Sequence, residues 1–91
     1  MGTIIKEIIR KRKTPYRLIN NECIIANLEN HNLIILNEVG GMVWEGLIKE
    51  KNYVRFLQNL KDKFSDVPSD FEESIIAIIK ELEKEGFVEL K

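Results

Sequence analysis

The hydrophobic period of this chain switches once, between Leu36 and Asn37. Before that point, short β-prone runs are separated by turn residues. Beyond it, apolar residues recur at three- and four-residue spacing almost to the C-terminus. The sheet and the helices must share one core, because 91 residues are too few for two. The expected fold is α+β, with a three-stranded antiparallel sheet followed by three helices.

The strands are expected at Tyr16–Ile19, Glu22–Leu28 and Leu33–Leu36, joined at Asn20-Asn21 and at Glu29–Asn32 as a meander. In the second strand Cys23, Ile25 and Asn27 share one face, and Ile24, Ala26 and Leu28 the other. The run Leu33-Ile34-Ile35-Leu36 is apolar on both faces, so both faces are expected to be covered.

The first helix follows Asn37, whose side chain can accept a first-turn N–H. Val39, Val43 and Leu47 form its stripe beside Trp44 and Ile48, and Trp44 reads as core. Gly40-Gly41 suits a first turn that packs closely. A second helix begins near Asn52 with Tyr53, Leu57, Leu60 and Phe64 inward, flanked by Val54 and Phe56. A third spans about 70–85, opened by a Ser69/Glu72 capping box and closed by Gly86, with a short strand expected at 87–90. On a wheel its Phe71, Ile75, Ile78 and Leu82 fall within about 60°. Ile79 and Ile76 widen that arc by roughly another 100°. That extra width is either an exposed groove wall or filler beside the first two helices.

Charge is divided along the chain. Residues 6–17 hold Lys6, Arg10, Lys11, Arg12, Lys13 and Arg17 against Glu7, whereas residues 70–91 are acidic on balance. Thr14-Pro15 punctuates the boundary, which divides the chain into a basic N-terminal arm at 1–13 and a folded domain at 14–91. The net charge of −1 disfavours duplex nucleic acid as the main partner. The longest apolar runs are far shorter than the roughly 20 residues of a membrane span. One cysteine excludes an internal disulfide framework and any multi-thiolate metal site, and a cytoplasmic setting is the default. Cys23 reads as a small buried hydrophobe and His31, the lone histidine, as a turn residue. No catalytic residue, metal site or cofactor is expected, and a binding module is favoured over an enzyme.

Leu36, Asn37, Gly40 and Trp44 match a Leu-Asn-x-x-Gly-x-x-x-Trp pattern, and the chain closes on Leu82-Glu83-Lys84-Glu85-Gly86-Phe87-Val88. In both features, over residues 14–90, the sequence resembles the PqqD-like family. The resemblance implies a winged-helix-like fold and a peptide-recognition element of ribosomally made, post-translationally modified peptide pathways. Such a domain is non-catalytic. It binds the leader of a precursor peptide and presents the core to a modifying enzyme, such as a radical S-adenosylmethionine protein or a lasso-peptide maturation enzyme. The leader is expected to add as a strand beside Leu33, Ile34, Ile35 and Leu36 and to lie against the third helix, on a wall of Ile76, Ile79, Lys80 and Glu83 taken from the wheel. Ile79→Asp is then expected to weaken peptide binding and leave the fold intact. Two other readings stay open. A DNA-binding winged helix would need cations on a late helix, but here they gather in the N-terminal segment. A homodimer could pair through the same exposed strand edge.

Overall fold

The computed structural model describes residues 5–91. The elements are β1 (Ile8–Arg10), β2 (Tyr16–Ile19), β3 (Glu22–Ala26), β4 (Leu33–Leu36), α1 (Glu38–Lys49), α2 (Tyr53–Lys61), α3 (Phe71–Lys84) and β5 (Val88–Leu90). The expected antiparallel meander is β2-β3-β4, followed by the three helices; β1 and β5 form a separate two-stranded sheet.

Asn20 and Asn21, both at positive φ (50° and 66°), join β2 to β3. Asparagine tolerates that region, and two such residues make the tight turn that matches strand twist. The register pairs Ile24 with Arg17 and Ile35, and Ile25 with Tyr16 and Ile34. Cys23, Ile25 and Asn27 are buried, as their alternation predicts.

α1 opens on Asn37, whose Oδ1 accepts the Gly40 N–H at 2.9 Å. A Cβ at Gly40 would lie 2.7 Å from the Leu36 Cβ, so glycine lets the helix turn back tightly against the strand it has just left. Trp44 is wholly buried, edge-on to Tyr16 and Phe87 at 6.4 and 6.3 Å between ring centroids. Asn52 caps α2 by accepting the Arg55 N–H at 3.0 Å. Tyr53, Phe56, Leu57 and Leu60 turn inward, so Phe56 belongs to the core and Phe64, half-buried, follows the helix end.

α3 departs from expectation at its start. It begins at Phe71 after Asp70, with no side-chain cap. Glu72 does not reach back to Ser69, because its carboxylate accepts a 2.7 Å hydrogen bond from the Tyr53 hydroxyl. The end is as read. Gly86 takes φ +85°, the Phe87 N–H donates to Leu82 O at 2.8 Å and the Gly86 N–H to Glu83 O at 3.1 Å. This is a Schellman closure with its apolar partners, Leu82 and Phe87, both buried.

Within the basic N-terminal segment, residues 6–11 are tied to the domain. β1 pairs antiparallel with β5, Ile8 opposite Leu90, and Ile5 and Ile8 lie in the core. The Ile8 N–H donates to Lys51 O and the Tyr53 N–H to Lys6 O, fastening the segment to the α1–α2 connection. The Arg10 guanidinium sits 5.7 Å from the Trp44 ring centroid. Residues 1–4 of the arm lie outside the described residues.

Candidate functional site

The sheet ends on β4, which pairs with β3 along one edge and with no strand along the other among the described residues. Its side chains alternate. Ile34 and Leu36 pack on the core, whereas Leu33 and Ile35 face outward, 63% and 55% exposed. The expectation that both faces would be covered therefore fails for the outward one. Among the described residues no element covers Leu33 and Ile35, and α1 packs against β3 and β4.

Three asparagines hold the start of β4 against the end of α3. Asn27 Nδ2 donates to Gly86 O at 2.6 Å, while its Oδ1 accepts the Glu29 N–H at 2.9 Å. Asn32 and Asn30 donate to Glu85 O at 3.0 and 3.3 Å. The Schellman turn leaves these carbonyls without helical partners, and the β3–β4 turn supplies donors. By sequence alone Glu29–Asn32 is a turn and nothing more. The signal present was asparagine density opposite a helix-closing glycine, but no spacing rule joins residues so far apart.

The expected wall on α3 is only partly present. Lys80 and Glu83 are exposed and Ile76 is half-buried at the core's margin. Ile79 is 0% exposed and belongs to the core with Phe71, Ile75 and Leu82, while Ile78 is half-buried. Ile79 is thus removed from the peptide wall. The helix is rotated so that the middle of its wide apolar arc faces inward, and the two rims, Ile76 and Ile78, come toward solvent. Lys80 and Glu83 lie near the α3 end that Asn30 and Asn32 tie to the start of β4, and Ile76 lies about one turn further back.

The buried Cys23 thiol is pushed above its ordinary value by desolvation first and by the Glu45 charge second. Tyr53 is raised by burial, then by its hydrogen bond to Glu72 and the Glu72 charge. Among the described residues no cluster of three or more His, Cys, Asp or Glu has metal-binding geometry, and no helix is long and apolar enough to cross a membrane.

A three-stranded meander with an open β4 edge among the described residues, backed by helices and joined through its last turn to the end of α3, defines a small α+β domain. The family model for coenzyme PQQ synthesis protein D (PqqD) matches residues 22–88. The chain belongs to the PqqD family. Among solved structures it is similar to one described as "TbiB1 in Complex with the TbiA(beta) Leader Peptide", with a TM-score of 0.76 and 16% identity over 89% of this chain and 94% of that one. No curated protein matches the chain.

Proposed function

We propose that the chain binds the leader of a ribosomally made precursor peptide and presents the peptide to a separate modifying enzyme, itself doing no chemistry. The leader adds as a strand to the open edge of β4. Lys80 and Glu83, with Ile76, line the α3 side of its path. The observation that carries this reading is the unpaired β4 edge in a PqqD-family domain. Main-chain hydrogen bonds along such an edge give affinity, and alternate side chains of the added strand read the surfaces on either side. The likeness to a domain solved with a leader peptide supports the same occupant. The enzyme served is a radical S-adenosylmethionine or lasso-type maturation protein, and the setting is the cytoplasm.

The test is calorimetric titration with the leader of a precursor peptide encoded beside this chain's gene. Binding at about micromolar Kd or tighter, near −8 kcal/mol, is expected. Ile76→Asp and Glu83→Lys should weaken it with the circular dichroism unchanged. Absence of leader binding, together with a duplex-DNA complex that weakens steeply with salt, would replace this reading with a DNA-binding one. A stable dimer that leader does not dissociate would assign the β4 edge to self-pairing instead.

A further inference from the structure

The outward face of the meander across β2 and β3 is a second surface, which a leader strand added at the β4 edge would meet only along its β4 margin. The register sets Arg17, Ile24 and Ile35 in one row across it, with Ala26 and Leu33 in the row beside. Ile19, 48% exposed, follows Arg17 on β2. A shallow hollow runs between Ile19, Ile24, Ala26 and Arg17 and shares Pro15 and Tyr16 with a larger basic hollow lined by Arg12 and Lys13. The surface is therefore apolar across β3 and β4 and basic along β2 and its entry.

Size and charge select the occupant. Three strands of about four residues offer on the order of 200 Å² of face. A stable protein pair buries about 800 Å² on each partner, so this face alone does not sustain a dimer. It matches one side of a short helix or strand. Arg12, Lys13 and Arg17 have no carboxylate within ion-pair distance among the described residues. Glu22, at the far end of the face, is the acidic group on it. A few cations beside exposed isoleucines are too sparse for a phosphate backbone, which gains nothing from the apolar rows.

We propose that this face docks a short, amphipathic, acidic polypeptide segment, with apolar side chains on Ile19, Ile24, Ala26 and Ile35 and carboxylates toward Arg17 and the Arg12-Lys13 corner. The proposal stands apart from leader binding at the β4 edge and concerns a second polypeptide contact.

The experiment titrates the full chain with two synthetic peptides of about 12 residues, roughly 18 Å as helix. Both carry leucine at helical spacing; glutamate fills the other positions in one and lysine in the other. Backbone amide shifts are read by NMR. The expected result is that the glutamate peptide shifts Arg17, Ile19, Ile24 and Ile35 and binds at least about tenfold more tightly than the lysine peptide. The Lys13→Glu/Arg17→Glu variant should lose that preference, and the Ile24→Thr/Ile35→Thr variant should lose binding to both, each with its fold verified by circular dichroism. Equal binding of the two peptides, or shifts confined to the β4 edge and α3, would overturn the proposal. So would sedimentation showing a dimer that Ile35→Thr dissociates, since a second copy would then cover the face. Ile76→Asp, expected to weaken leader binding, should leave the glutamate peptide's affinity unchanged, so the two readings fail separately.

Discussion

Replacing Ile79 by alanine tests where the boundary between core and surface falls on α3. The side chain is fully out of solvent within the cluster of Phe71, Ile75 and Leu82. Truncating a buried isoleucine to alanine removes its transfer free energy and leaves a partly unrelaxed cavity, together about 2–5 kcal/mol. A domain of this size has roughly 5–14 kcal/mol in total, so one truncation removes a large share. With about 4–8 °C per kcal/mol, Tm should fall by at least about 8 °C. Ile79→Asp places an unpaired carboxylate in the same space and should leave the chain unfolded. Ile76, half-buried, should cost about 1 kcal/mol or less on truncation, because part of its surface is already wet. The assay is guanidinium unfolding followed by both far-UV circular dichroism and Trp44 fluorescence. A loss below about 1 kcal/mol for Ile79→Ala, or equal losses at Ile79 and Ile76, would refute this packing of the helix.

Three further outcomes are expected. Asn27→Ala deletes a buried side chain that donates to Gly86 O and accepts from Glu29 N–H, so it should cost about 2–3 kcal/mol and loosen the β3–β4 turn, read as faster amide exchange at residues 29–32. Gly40→Ala forces a Cβ to within 2.7 Å of the Leu36 Cβ and should cost about 1–3 kcal/mol despite alanine's better helix propensity; an alanine variant as stable as the parent would show that the strand-to-helix joint yields freely. Cys23 and Tyr53 both hold their protons more tightly folded than unfolded, so their contribution is whole below their ordinary values of 9.0 and 10.0 and is lost as pH rises beyond them. The denaturation midpoint should therefore decline at alkaline pH, less steeply in Tyr53→Phe, and a midpoint that rises there would contradict the assignment.

Local rules reached the elements whose reasons are local. The inward face of Glu22–Leu28, the Asn37 and Asn52 caps, the close turn at Gly40 and the Gly86 stop each depend on residues within a few positions. What escaped depends on partners far along the chain. Glu72 has the sequence of a capping box, but Tyr53 on the preceding helix takes its carboxylate. β1 is three residues among cations, and its partner β5 ends the chain, so no nearby pattern marks Ile8 as core. The wide arc on α3 fixed an apolar side, while its rotation, and so the exchange of Ile79 for Ile78 in the core, was decided by the elements it packs on. Around the β4 edge, the strand Leu33–Leu36 was legible, but the bare outward face of Leu33 and Ile35 and the asparagine ties to α3 were not.

The most direct test of leader addition at β4 is amide hydrogen exchange across Leu33–Leu36, with and without a bound leader peptide. Strand addition predicts that β4 amides not bonded to β3 become strongly protected, while the amides of β2, at the opposite edge, change little. Protection confined to β2 or to the outward-face contacts, with β4 exchanging as in the free chain, would contradict it.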